Sequence, residues 1–267
     1  MSCACGHHHA PNDPDHGEII PLKRPMVALT GRLICADSAQ MMIALQHLPE
    51  HSSLSRAEPG CLRFDLAQDE DPLIWTLSEL FADADAFAAH GARMKDSAWG
   101  RASGAITRDF TRTEVLPHLR PEAPRDQPGI RALNIAAFGA EAEADLVDAL
   151  RRDGDLDLSL VASQGGTILG HIALSPITAP FPALALAPVA VHPALQRRGI
   201  GAALIHAALS ARPDHAVILL GDPAYYAGLG FRPVDLVSPY AGPYLQAAGP
   251  VTPGATITHA PAFAALG

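Results

Sequence analysis

The chain has no excess of basic residues: 19 Lys and Arg stand against 28 Asp and Glu, a formal net charge of −9. That balance argues against nucleic acid as the main partner, and no Lys/Arg run marks a membrane surface. Cysteine is scarce. Cys3, Cys5, Cys35 and Cys61 are the four in 267 residues, and they read as free thiols or metal ligands rather than disulfides. A membrane-length apolar run is also missing. The longest apolar stretch, Ile177 to Val191, is interrupted by Pro180, Pro182 and Pro188 and is too short to span a bilayer. The N-terminus lacks the basic start and apolar core of a signal peptide, so the expectation is a cytoplasmic protein with no membrane partner. No internal repeat appears.

What is present is a 48% apolar chain long enough for one large or two small domains. Residues 1–25 are polar and proline-containing and read as a tail. Its Cys3, Cys5 and His7 carry soft-ligand chemistry suited to Zn²⁺ or Cu⁺. No matching second half follows, so no metal site is assigned. Residues 26–115 read as βαββαβ, a ferredoxin-like unit. Met26 to Cys35 forms its first strand, and Asp37 or Ser38 caps a helix with a Met41, Leu45, Leu48 stripe. Pro49 is expected to kink or end that helix. Leu62, Phe64 and Leu66 alternate with polar neighbours as a half-buried strand does. Leu73 to Phe81 follows, then a helix opened by Asp83 or Asp85, then Ile106 to Val115.

Residues 116–128 are rich in proline and charge and read as a linker. A second domain, 129–242, opens with helices at Gly129 to Phe138 and Ala142 to Arg152. Strands follow at Leu158 to Ser163, Thr167 to Ser175 and Ala183 to Val191. A helix from Gly199 to Ala211 and a strand from Ala216 to Leu220 complete it. Residues 243–267, rich in Ala, Pro and Gly, read as a C-terminal tail. The fold class expected is thus α/β (α+β) in two domains.

The most informative stretch runs from Val189 to Leu204. It reads as an apolar strand, a basic glycine turn and an apolar helix. Such a turn leaves backbone N–H groups unpaired at a helix N-terminus, where the dipole favours negative charge. Gly199 and Gly201 allow an anion close to the main chain, and Arg197 and Arg198 add positive charge. The site suits a diphosphate or similar anion.

Gln196 to Gly201 fits a Gln/Arg-x-x-Gly-x-Gly/Ala loop, and Tyr226 to Phe231 fits Tyr-x-x-x-Gly-Phe. With both motifs in order on suitable elements, the second domain resembles the GNAT superfamily of acyl-CoA N-acyltransferases. The resemblance implies acetyl-CoA as donor, held by Gln196, Arg197, Arg198, Gly199, Gly201 and Ala202. It implies main-chain contacts to the pantetheine arm from the preceding strand, at Val189 and Val191. It makes Tyr226 the general acid for the departing thiolate. Many relatives carry a Glu near that strand, and none lies between Ala183 and Val191. His171, His192 and Asp222 stand nearby as candidate bases, with His192 and Asp222 retained beside Tyr226 as catalytic candidates. The acceptor implied is an amine on a small molecule or peptide.

Glu58-Pro59-Gly60-Cys61-Leu62, Ser78 to Asp83 and His90 make the first domain resemble the antibiotic biosynthesis monooxygenase family. That resemblance implies a homodimer formed through this domain, with a pocket between helices and sheet. Two alternatives to an N-acetyltransferase follow. One is a cofactor-independent quinol or phenol monooxygenase with an acyl-CoA-sensing domain, using His90. The other is a non-enzymatic acyl-CoA-binding regulator.

Overall fold

The computed structural model describes residues 17–266; Cys3, Cys5 and His7 lie outside them. In chain order the elements are β1 (Glu18–Ile19), β2 (Met26–Ile34), α1 (Ser38–Arg56), β3 (Cys61–Gln68), β4 (Ile74–Phe81) and α2 (Ala84–Asp96). Next come α3 (Ala98–Ala102), β5 (Thr107–Val115), β6 (His118–Pro121), α4 (Gln127–Phe138), α5 (Ala142–Asp153) and β7 (Leu158–Gln164). Then follow β8 (Thr167–Pro176), β9 (Ala183–Val191), α6 (Ile200–Ala211), β10 (Ala216–Leu220), α7 (Pro223–Tyr226), β11 (Arg232–Pro233) and β12 (Leu245–Ala248). They divide into two compact units. Pro21–Leu116 is one, and the other runs from Pro117 and takes in Ile20 with the described residues just before it.

The Pro21–Leu116 unit is an antiparallel sheet in the order β3-β4-β2-β5. With its two crossover helices this is the ferredoxin-like arrangement. Asp37 caps α1 by accepting the Gln40 N–H at 2.9 Å. Asp83 caps α2 by accepting the N–H groups of Asp85 and Ala86. Each satisfies backbone donors that a helix start leaves without partners. The core gathers Leu33, Cys35, Ala44, Leu48, Trp99 and Ile106. Two features of α1 differ from expectation: Pro49 does not end it, and Leu45 is not part of its buried stripe. The helix continues through Pro49 to Arg56. The carbonyl that loses its partner there belongs to Leu45, and both residues face water, which can take the orphaned acceptor. Leu45 is exposed, and the buried stripe is Ala44, Leu48, His51, Ser52 and Ser55. Cys35 and Cys61 are free thiols.

The second unit is an eight-stranded sheet in the order β1-β6-β7-β8-β9-β10-β12-β11. All its pairings are antiparallel except β9 with β10. Ile130 and Leu133 of α4 and Val147 of α5 pack against Val161, Ile168 and Ala190 of the sheet. Four sheet strands lie where the sequence suggested none; one of them, Arg232–Pro233, pairs with β12. Glu18–Ile19, in the expected tail, pairs with β6. His118–Pro121, in the expected linker, also pairs with β7. Arg120 of β6 donates to both carboxylate oxygens of buried Asp126 at 2.6 and 3.0 Å, fixing the turn into α4. Leu245–Ala248, in the expected C-terminal tail, lies between β10 and β11 with all four residues buried. Alanine has low strand propensity, but a strand covered on both faces accepts small side chains. No helix of the described residues is long and apolar enough to cross a membrane.

Candidate active site

β9 and β10 run parallel for a short distance and then separate. Their pairing ends at Ala185 opposite Ile218, while β10 runs on along β12 and β9 runs on along β8. On β9 the register with β8 slips between Ile172 and Leu174, which face Val189 and Leu186. The surplus residues, Ala187 and Pro188, form a bulge of the kind that bends a strand. A cavity of about 360 Å³ opens in the gap, lined by Ala185–Val189 and Ile218–Leu220.

The end of β9 leads into the glycine turn. Arg197 (φ 61°) is the non-glycine residue with positive φ among those described, and Gly199 follows at φ 94°. No side chain caps α6 at Gly199, so the first-turn N–H groups keep the anion-binding character of an open helix start. Successive residues of alternating hand aim such groups into one concavity. Gln196 Nε2 donates to the Val191 carbonyl at 3.3 Å and ties the turn to its strand. Gly201 and Ala202 form the first turn of α6. A Cβ at Gly201 would sit 3.2 Å from the Tyr225 hydroxyl, and the Tyr225 ring meets Tyr226 edge-on at 4.9 Å. Through these rings the loop adjoins the cavity, which Tyr226 lines. Burial, and secondarily Tyr225, raises the Tyr226 pKa, so its hydroxyl is a proton donor at neutral pH. Phe231 supports the ring at 5.6 Å.

The other candidates sit elsewhere. His192 Nδ1 accepts the Ala194 N–H at 3.3 Å, and burial lowers its pKa. Asp222 accepts the Ala224 N–H at 2.9 Å and caps α7. Neither lines the cavity. His171 is fully buried on β8, 3.0 Å from Ser159 Oγ, with its pKa lowered to about 4 by burial. Two groups that sequence reasoning passed over do line the cavity. Glu143 of α5 has a buried Oε2 without a hydrogen-bond partner in the protein, and His259 has such an Nδ1. His259 lies between the rings of Tyr240 and Phe263, and burial lowers its pKa. Glu143 carried a legible signal: it shares the spacing of Leu146, Val147 and Leu150, the buried face of α5. His259 carried none, since its segment read as a tail. No group of three or more His, Cys, Asp or Glu among the described residues is arranged to hold a metal ion.

An uncapped helix start after a glycine turn, beside a cleft between splayed parallel strands, is an α/β site suited to a phosphate-bearing ligand. The model of the acetyltransferase (GNAT) family matches residues 126–231. The uncharacterized N-acetyltransferase YhbS of Escherichia coli K12 is 39% identical over 121 residues, covering 43% of this chain and 72% of the relative. YjhQ of the same strain, also an uncharacterized N-acetyltransferase, is 35% identical over 130 residues, covering 45% of this chain and 71% of the relative. The crystal structure of E. coli YhbS in complex with CoA aligns with a TM-score of 0.50 at 30% identity. That alignment covers 55% of this chain and 92% of that one. The chain belongs to the GNAT acetyltransferase family. Its residues 36–95 match the antibiotic biosynthesis monooxygenase family model.

Proposed function

We propose that the protein transfers an acetyl group from acetyl-CoA to an amine of a small molecule or peptide, directly, with both substrates bound. The observation that carries this reading is the cleft between β9 and β10, where the anion-binding loop adjoins a cavity holding Tyr226, Glu143 and His259. Gln196, Arg197, Arg198, Gly199, Gly201 and Ala202 hold the diphosphate through their main chain and the two guanidinium groups. Main-chain groups at Val189 and Val191 bind the pantetheine arm where β9 has left β10. The donor supplies an activated thioester carbonyl, and main-chain N–H groups of β9 polarise it. The Tyr226 hydroxyl gives its proton to the departing sulfur. Glu143 draws the acceptor in as an ammonium. His259, kept neutral by burial, takes at Nδ1 the proton that the amine must lose before it attacks. His192 and Asp222 hold the turns around the site through their capping bonds. A donor of this kind fits a cytoplasmic protein. The Pro21–Leu116 unit is assigned to homodimer formation; a monomeric mass by light scattering at working concentration would refute that assignment.

Tyr226→Phe tests the core of the reading. Its acetyl-CoA affinity, by calorimetry, should stay within about twofold. Its CoA thiol release with an accepted amine should fall about a hundredfold, the lower range for general acid catalysis. Full turnover would remove Tyr226 from its role, and failure of the wild-type protein to bind acetyl-CoA would sink the reading. Glu143→Gln should raise the amine KM and leave acetyl-CoA binding unchanged.

A further inference from the structure

The Pro21–Leu116 unit holds a cavity of its own, about 230 Å³, that acetyl transfer does not use. Its walls are Leu33, Leu48, Phe64, Phe87 and Trp99, and Glu79 and His90 reach it from β4 and α2. An apolar cavity of about 150 Å³ holds a benzene, so this one takes a single substituted ring or a short chain.

Its polar end is built. Glu79 is 2% exposed, and its Oε2 is buried without a partner in the protein. His90 Nδ1 lies 2.9 Å from Glu58 Oε2. Glu58 also accepts the Nε–H of Arg93 at 2.7 Å, and Arg93 donates to Ser55 Oγ at 2.8 Å. A carboxylate so paired only accepts. The 2.9 Å contact with Glu58 places the proton on Nδ1; Arg93 Nη2, 3.3 Å from that nitrogen, then gives its hydrogen to Ser55 Oγ, and Nε2 keeps its lone pair. That nitrogen stands 4.0 Å from Glu79 Oε2, too far for a hydrogen bond between them. A carboxyl group and an imidazole nitrogen thus face one apolar space, unsatisfied and close enough to grip neighbouring atoms of one molecule.

We propose that this cavity is a second active site, in which Glu79 and His90 move a proton on a compact apolar carbonyl compound bearing an enolisable C–H. The Glu79 hydroxyl binds the carbonyl oxygen. His90 Nε2 takes the proton from the adjacent carbon; the C–H electron pair becomes the C=C bond of the enol, and the carbonyl π pair takes the Glu79 proton. Return of a proton to carbon and of the hydroxyl proton to Glu79 closes the cycle, with no oxidant and no leaving group. The protonation states agree. Burial, then the nearby Glu58, raises the Glu79 pKa to about 8, with Arg93 opposing. Burial lowers that of His90, against the raising effect of Glu58. The ionisable neighbours are Glu58, His51, Arg93 and the Cys61 thiol, with Arg108 also on the cavity wall. A carboxylic acid held neutral in an apolar site so that it can donate is an established catalytic device.

The test incubates the full-length protein in D₂O with cyclohexanone, 1-indanone, acetophenone and 2-nonanone, and reads deuterium at the carbon beside the carbonyl by NMR. Exchange of at least one ketone should exceed buffer by about tenfold or more. His90→Ala and Glu79→Leu should abolish the excess, while Glu79→Gln, whose amide still donates, should keep part of it. The wild-type rate should fall as pH passes about 8, and that fall should be absent in Glu79→Gln. Thermal midpoints verify folding, and His90→Asn serves if the alanine variant unfolds. Exchange at the buffer rate with all four ketones, undiminished exchange without His90, or incorporation of oxygen into the products would each overturn the proposal.

Discussion

At Gly221 a single hydrogen atom leaves room for the ring of Tyr226. A Cβ there would lie 2.2 Å from Cε2 of Tyr226, which no packed ring can share. The main chain cannot yield, because Gly221 donates to the Tyr244 carbonyl at 3.1 Å and accepts from Gln246 Nε2 at 2.9 Å. Gly221→Ala must therefore displace the Tyr226 ring. A displacement of about 1 Å in a reacting group can cost about a hundredfold in rate. The expected result is a loss of kcat of that order with acetyl-CoA affinity nearly unchanged, since the anion-binding turn lies on another element. An unaltered kcat would show that the position of the Tyr226 hydroxyl does not limit turnover. Sequence pattern found Tyr226 and the loop because their spacing is local. Gly221 escaped it, because its constraint is a contact across a turn.

At the scale of elements, the Arg120–Asp126 pair does what its linker-like composition concealed. Both side chains are buried, and two N–H···O bonds clamp β6 to the turn that starts α4. Burial alone would raise the Asp126 pKa; hydrogen bonds from Arg120 and the Ala123 N–H outweigh it and hold the pKa low. Arg120→Ala leaves a buried carboxylate with one backbone donor, a loss worth about 3–5 kcal/mol when such a pair is broken. Denaturant unfolding should show it, and Arg120→Met with Asp126→Leu should recover most of it. A loss below about 1 kcal/mol would mean that the pair behaves as an exposed one. Alternating residues such as Leu62, Phe64 and Leu66 announced β3 correctly, because a half-buried strand writes its period into sequence. β6 and β12 wrote none. One is four residues ending in a proline, and the other is alanine-rich and buried throughout. Their pairing comes from neighbours far away in the chain, as does the placement of His259.

Across the whole molecule, buried ionisable groups pull stability in opposite directions with pH. His171 in the acetyltransferase unit and His51 in the ferredoxin-like unit have folded pKa values lowered by burial from 6.5 to about 4 and about 3. Below 6.5 the unfolded chain takes up a proton that the native state refuses, so each contributes stability that is lost as the pH falls. Glu79 has the reverse sign. Its folded pKa is raised from 4.5 to about 8, so between those values the native state holds a proton that the unfolded chain has released. Its contribution is full below 4.5 and is lost as the pH rises to about 8. The ferredoxin-like unit, with both His51 and Glu79, should be most stable at intermediate pH. The acetyltransferase unit, with His171 and the low-pKa Asp126, should lose stability chiefly on the acid side. Hydrogen exchange read by mass spectrometry separates the units. After correction for intrinsic rates, peptides of Pro21–Leu116 should lose protection as the pH climbs toward 8, and peptides from Pro117 onward should not. Glu79→Gln should abolish that alkaline loss in the first set and leave the second unchanged. Parallel pH curves for wild type and Glu79→Gln would show that Glu79 ionises in the native state as freely as in the unfolded one, and would withdraw the neutral carboxyl on which its role in the cavity depends.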